Sequence, residues 1–249
     1  AMTAAVTREG VTVEEGAQIA ESAIFAGAGI TVGAGAILEP ACVIGTGVSI
    51  GRGAWLRAGA VALRDVPPNA ILEGNPAEVV GYRPSSDQVQ RTTHHVDLAQ
   101  YLDHPRPTRI DLAVGGGALY LMRKIGDPRG SLTVGELPDE LPFQPARYFT
   151  IFDVPSTELR GEHAHRRCEQ FLLCVHGSCR VLLDDGVDRC EVTLDRPDVG
   201  VHMPPMIWGT QYRYSRDAVL LVFASRPYEN EDYIRDYDTF LAEVEAQEQ

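Results

Sequence analysis

The chain has 249 residues, 44% hydrophobic and 23% charged, a balance that suits a soluble protein of two compact domains or one large β domain. Its net charge of -13 excludes a sequence-independent nucleic-acid binder, which needs a basic face to displace counterions. No apolar run reaches the roughly 18 residues of a membrane span, and the first residues lack the apolar segment of a secretory signal, so a cytoplasmic location is expected. Lys124 is the only lysine, which leaves arginine, the better fork for phosphate oxygens, as almost the sole cation. The five cysteines form no C-x-x-C pair and are odd in number, so they read as reduced, buried small hydrophobes.

The first element in chain order is a repeat. Large apolar residues recur every six positions: Val13, Ile19, Phe25, then after a one-residue slip Val32, Leu38, Ile44, Ile50 and Leu56. A helix would repeat near 3.6 and a strand at 2; a period of six fits a solenoid with flat faces and about three coils. These hexads, continued by Asp65-Val-Pro-Pro68 and Gly74-Asn-Pro-Ala77, resemble the C-terminal part of left-handed β-helix acyltransferases. The resemblance implies a coenzyme A site near those two segments, yet the segment is short and holds no histidine before His94, where the family uses a histidine base. A trimerisation module is therefore expected over residues 1–85, with Gly74-Asn75-Pro76 as a turn, and a working N-acetyltransferase is the alternative.

Residues 86–107 are polar without sustained apolar periodicity and read as a linker, with His94 and His95 a solvated pair. From about 108 the pattern changes to short alternating strands punctuated by turns such as His176-Gly-Ser178 and Asp184-Asp-Gly186. Many strands at short spacing predict a sandwich or jelly roll over 108–249. Tyr237, Phe240, Leu241 and Val244 have the spacing of a terminal helix packed on it.

The chemistry is concentrated in Arg160-Gly-Glu-His-Ala-His165. On a strand, His163 and His165 face the same side and Ala164 the other. Two uses stay open at the residues themselves. His-x-His-x-x-x-Glu (His163, His165, Glu169) is the first half of a cupin metal signature, but Met203–Gln211 lacks the histidine that the second half requires, and His202 precedes the Pro-rich turn. General acid–base work suits imidazole directly, since both its protonation states exist near neutral pH.

The segments Asp127-Pro-Arg-Gly-Ser-Leu-Thr133, Arg147-Tyr148, Arg160-Gly-Glu-His-Ala-His165, Glu169-Gln170, Gly177-Ser-Cys-Arg-Val181 and Asp232-Tyr-Ile-Arg-Asp-Tyr237 resemble the dTDP-4-keto-6-deoxyglucose 3,4-ketoisomerases. The resemblance implies an all-β chain, a β-helix followed by a cupin barrel with a C-terminal helix. It also implies isomerase activity without metal or cofactor, on the way to 3-amino deoxysugars. On this reading His163 and His165 move protons, and Arg147, Tyr148, Arg160, Trp208 and Tyr212 are candidates for contacts with a dTDP-sugar. Only one of Arg147 and Tyr148 can point inward, with Arg147 preferred for pyrophosphate. Arg160, three residues before His163, reaches the site only if the strand bends at Gly161. The expected assembly is a homotrimer through the β-helix, extended to a hexamer if the cupins also pair.

Overall fold

The computed structural model describes residues 10–83, 93–137, 139–155 and 158–247. The chain divides into two compact units, Ala1–Arg91 and Thr92–Gln249.

The first unit opens with nine short strands: β1 (Val11–Val13), β2 (Gln18–Ile19), β3 (Ile24–Phe25), β4 (Ile30–Val32), β5 (Ile37–Leu38), β6 (Val43–Ile44), β7 (Ser49–Ile50), β8 (Trp55–Leu56) and β9 (Val61–Ala62). They pair only in parallel, every third strand with every third, on three faces: β1-β4-β7, β2-β5-β8 and β3-β6-β9. Leu38 lies beside Leu56 and Ile44 beside Ala62, a rung of 18 residues, whereas Ile19 pairs with Leu38 and Phe25 with Ile44 across 19. The one-residue slip in the hexads is that longer rung. Val32, Leu38, Ile44, Ile50 and Leu56 fill the axis, and a second column with mostly smaller side chains, Ala36, Cys42, Val48, Ala54 and Ala60, is buried beside them. Small residues at every sixth position let three strands approach closely enough to exclude water. Asp65 closes the last rung by accepting from the Ser49 backbone N–H at 2.8 Å. β10 (Ala70–Glu73) and β11 (Glu78–Tyr82) then fold back as an antiparallel hairpin, and Gly74 to Ala77 is its turn.

In the second unit the strands are β12 (Thr93–Val96), β13 (Thr108–Asp111), β14 (Ala118–Leu121), β15 (Arg123–Asp127), β16 (Gly130–Val134), β17 (Arg147–Phe152) and β18 (Arg160–His165). Beyond them run β19 (Gln170–His176), β20 (Cys179–Asp184), β21 (Arg189–Leu194), β22 (Val199–Met203), β23 (Trp208–Tyr212), β24 (Val219–Ala224) and β25 (Tyr233–Ile234), and α1 (Tyr237–Gln247) ends the unit. Two six-stranded sheets, β12-β21-β20-β23-β18-β25 and β13-β14-β22-β19-β24-β17, form the jelly roll, and β15-β16 is a separate ribbon.

The inner faces are set by alternation. Leu172 and Cys174 of β19, Val181 and Leu183 of β20, Val199, Val201 and Met203 of β22, and Phe149 and Ile151 of β17 share one apolar core. Phe171 and Leu173 face the other way, into a cluster with Met122, Tyr120, Phe143 and Phe223. α1 lays Tyr237 and Phe240 over Ala164, Trp208 and Ile234 on the outside of the first sheet. A buried ion pair anchors that helix: Arg189 Nε donates to Asp184 at 2.7 Å, and the Tyr237 hydroxyl donates to the same carboxylate at 2.6 Å.

The linker expected over 86–107 needs correction at its C-terminal end, its residues 86–92 lying outside the described ones. Thr93–Val96 is a strand parallel to β21, and Val96, Leu98 and Tyr101 pack against the barrel core. Apolar residues too sparse to show a period still suffice to dock an edge strand. His94 and His95 lie on that strand, exposed as expected.

Candidate active site

The site begins with a bulge. A regular strand would turn Arg160 away from His163, but the ladder between β18 and β23 shifts between Gly161 and His163. Gly161 (φ 79°) and Glu162 (φ 54°) both take left-handed backbone, so two residues occupy the space of one. Arg160 then lies opposite Gln211 and His163 opposite Gly209, and Gln211 is in turn opposite Val181 of the inner core. Directly opposed residues share a face. The bend at Gly161 thus turns Arg160 to the histidine side, at an exposed position. No side chain fits at 161, where a Cβ would sit 2.5 Å from the Gly209 carbonyl oxygen.

His163 and His165 are brought together as their spacing predicts, with ring centroids 4.9 Å apart and planes nearly perpendicular. Their surroundings differ. His165 donates from Nδ1 to Asp232 Oδ2 at 2.9 Å, and Gln170 Nε2 lies 3.1 Å from its Nε2. An Nδ1 that donates to a carboxylate leaves Nε2 as the acceptor, which suits an amide N–H from Gln170. Asp232 is itself held by the backbone N–H groups of Arg167 at 2.9 Å and Cys168 at 3.2 Å. Burial lowers the His165 pKa to about 4, helped by neighbouring His163 and opposed by Asp232. His163 donates from Nδ1 to the Gly161 carbonyl at 2.8 Å. Its pKa is also depressed, chiefly by burial and further by the Arg235 and Arg147 charges. Both imidazoles are therefore neutral bases at pH 7, and among the described residues no hydrogen bond engages the Nε2 of His163.

Tyr233 completes the cluster. Its ring is 4.9 Å from that of His163 and 4.2 Å from that of His165, and its hydroxyl accepts from Arg147 Nη2 at 3.0 Å. Arg147 shares the inner face of β17 with Phe149 and Ile151, and its Nε is buried without a hydrogen bond. The Arg235 guanidinium lies 4.3 Å over the Tyr233 ring. Asp232, Tyr233, Arg235 and Gln170 were not assigned roles from sequence. The first three come from the segment Asp232-Tyr-Ile-Arg235, whose strand β25 is two residues long and pairs with β18 through Ala164–Ile234 and His165–Tyr233, a pairing with no periodic signal. Glu162, on the bulge, has its carboxyl pKa raised by burial.

Three expected contacts are corrected. Tyr148 is 71% exposed and points outward, because Arg147 takes the inward position on β17. Trp208 is buried beneath α1, its ring 5.2 Å from Tyr237 and 5.7 Å from Phe240. Tyr212 lies on that same outer face, opposite Arg180, with its hydroxyl donated to Glu191. Alternation on β23 gives the histidine side to Gly209 and Gln211, so neither aromatic ring reaches the histidines. The metal alternative also comes apart. Glu169 turns to the outer face, where its Oε2 meets His202 Nε2 at 2.8 Å, because neighbouring Gln170 takes the inward place. His165, Cys168 and Asp232 do lie close enough for their ligand atoms to converge, but the Nδ1–H of His165 and the Cys168 backbone N–H already fill Asp232 Oδ2.

Comparison with known proteins agrees with this geometry. The FdtA family model, described as WxcM-like, C-terminal, matches residues 116–245. A TDP-4-oxo-6-deoxy-alpha-D-glucose-3,4-oxoisomerase of Aneurinibacillus thermoaerophilus is 48% identical over 118 residues, 47% of this chain and 85% of that protein. A 3,4-ketoisomerase from Helicobacter canadensis is 37% identical with a TM-score of 0.50, over 52% of this chain and 97% of that one. QdtA, a sugar 3,4-ketoisomerase from Thermoanaerobacterium thermosaccharolyticum solved in complex with TDP, is 33% identical with a TM-score of 0.51, over 53% and 96%. With more than half its length matched by the family model, and that half holding the paired histidines and their partners, the chain belongs to the FdtA, WxcM-like C-terminal family.

Proposed function

We propose that the barrel is a 3,4-ketoisomerase that converts dTDP-4-keto-6-deoxyglucose into a dTDP-3-keto-6-deoxyhexose. The observation that carries this reading is the pair of neutral imidazoles, one of which keeps its Nε2 open, packed against a tyrosine ring whose hydroxyl accepts from a half-buried arginine. Moving a carbonyl from carbon 4 to carbon 3 transfers no net electrons. It breaks a C–H bond at carbon 3, passes through an enediol, and forms a C–H bond at carbon 4. A single base can serve both adjacent carbons, and His163 has the right protonation state and the open nitrogen. His165, its Nδ1 bonded to Asp232 and its Nε2 3.1 Å from Gln170 Nε2, is the second proton-transfer group beside it. A positioned base of this kind contributes roughly 10²–10⁴ in rate. Arg160, exposed on the histidine side, and Arg235 over Tyr233 are the cations available for the pyrophosphate, while Arg147 serves the phenol.

The solenoid is proposed to assemble the enzyme. Its β3-β6-β9 face aligns Ile24, Val43 and Val61 in one outward column, with Ile24 54% and Leu63 62% exposed. The β1-β4-β7 face instead presents Thr12, Thr31 and Ser49. An aliphatic column on one of three faces suits packing against copies of the chain. Light scattering at micromolar concentration is expected to give a trimer or a multiple of it, and a monomer would refute the assembly.

The functional test is proton NMR of the full chain acting on dTDP-4-keto-6-deoxyglucose in deuterated water. The expected product is a 3-keto sugar that carries deuterium at carbon 4, with deuterium at carbon 3 of the recovered 4-keto substrate, and His163→Asn abolishes both. Recovery of unchanged, unexchanged substrate would overturn the assignment.

A further inference from the structure

The isomerisation uses none of the five cysteines, all of which are reduced and buried. Two of them meet. Cys174 on β19 and Cys179 on β20 both point into the apolar core of the barrel, and their thiols are hydrogen-bonded to each other. β19 belongs to one six-stranded sheet and β20 to the other, so the pair spans the junction between the sheets.

A tight, pinned turn brings the two sulfurs together. The ladder between β19 and β24 shifts between Cys174 and His176, which resets the alternation just before the chain reverses. Gly177 turns at φ 65°, where a Cβ would lie 2.7 Å from the Ala218 backbone. Ser178 donates its N–H to Ser215 Oγ at 2.9 Å, and its carbonyl accepts from the Ser215 N–H at 2.8 Å. The Cys174 thiol donates in turn to the His176 carbonyl at 3.0 Å. Val175 and His176 are exposed, so the cover over Cys174 is a single solvated turn, the kind of segment that opens locally without global unfolding.

We infer that Cys174 and Cys179 are a reversible redox pair, a dithiol that closes to a disulfide across the sheet junction when the turn opens to a low-molecular-weight disulfide, oxidised glutathione. Their hydrogen bond sets the order of events. Donation from the Cys179 thiol holds the Cys174 pKa below the usual thiol range, while the same bond and burial push Cys179 up. The thiolate is the attacking form, so Cys174 is the nucleophile and Cys179 the resolving thiol. Cys174 loses its proton to water and its sulfur attacks one sulfur of the glutathione disulfide, expelling the other as a thiolate with the bonding electron pair. Cys179 then loses its proton and displaces the second glutathione thiolate from Cys174. Two S–H bonds break in the protein and two form in glutathione; one S–S bond is exchanged for another, and two electrons pass from the protein to glutathione. The new bond ties β19 to β20 and restricts the unfolded chain.

The test needs no sugar substrate. The full chain is incubated with oxidised glutathione and read by intact mass and by peptide mapping. The expected result is the loss of two hydrogen atoms, mapped to a Cys174–Cys179 bond and reversed by dithiothreitol, with Cys42, Cys168 and Cys190 still free. The oxidised protein is expected to unfold roughly 5 °C higher than the reduced one. Cys179→Ala, which removes the resolving thiol, should stop at a glutathione adduct on Cys174, whereas Cys174→Ala should leave Cys179 unmodified. An unchanged wild-type mass, or a bond between other cysteines, would overturn the pair whatever the variants do. Equal adducts in the two variants would overturn the order of attack, and an unfolding midpoint that fails to rise would overturn the stabilising cross-link.

Discussion

Replacing Asp232 by Asn changes one atom and breaks a pattern of hydrogen bonds that only a carboxylate can satisfy. Asp232 is buried, and its oxygens accept four N–H groups: His165 Nδ1 and the Cys168 amide on Oδ2, and on Oδ1 the Arg167 amide and, at 3.5 Å, the Arg167 Nε. An asparagine has one accepting oxygen. With that oxygen toward His165 and Cys168, its NH₂ group confronts the Arg167 N–H; with the amide flipped, it confronts both the Cys168 N–H and His165. The first arrangement leaves one buried donor unsatisfied, a cost of about 1–3 kcal/mol. The second costs more, unless His165 adopts the other tautomer and Gln170 flips to match. A loss near 2 kcal/mol lowers the unfolding midpoint by roughly 4–8 °C for a unit of this size. Calorimetry reads the midpoint, and nitrogen-15 NMR of the imidazole reads which nitrogen carries the proton. An Asp232→Asn protein with the wild-type midpoint and an unchanged Nδ1–H tautomer would refute the claim that this carboxylate fixes His165.

Stability should also fall with acid. His165 has its folded pKa depressed to about 4, below an unfolded value near 6.5. The stabilisation is therefore complete above pH 6.5 and is lost as pH falls toward 4, which amounts to roughly 2 kcal/mol by pH 5. His163 and His202, also depressed, add in the same direction; equal denaturant midpoints at pH 7 and pH 5 would contradict this. Gly161→Ala forces a Cβ to within 2.5 Å of the Gly209 oxygen at φ 79°. Loss of the bulge should cost more than about 1 kcal/mol and reduce turnover at a temperature where the variant stays folded; wild-type turnover would show that Arg160 need not face the histidines. Trp208→Ala should destabilise by about 3–5 kcal/mol through the cavity left under α1 and leave KM within a few-fold of wild type. A tenfold rise in KM would place Trp208 against substrate after all.

What could be read from sequence divides along the range of the interaction. The solenoid was legible because every rung repeats the same local rule, and even the slip between Phe25 and Val32 survives as one 19-residue rung. The paired histidines were legible because two-residue alternation on one strand is also local. The bulge at Gly161 stood as a condition, since Arg160 and His163 could share a face only if two residues occupied one place. What remained hidden depends on partners distant in the chain. Trp208 and Tyr212 look like ligand-stacking aromatics until α1 and Glu191 cover the outer face of β23. Glu169 looks like a metal ligand until Gln170 takes the inward place beside His165. Asp232 and Tyr233, 67 and 68 residues beyond His165, carry neither a period nor a turn signal; they act because a two-residue strand completes the edge of β18. The division of labour between the histidines follows from that edge. It is β25 that brings Asp232 to His165, fixes the Nδ1–H of that imidazole, and leaves the Nε2 of His163 open.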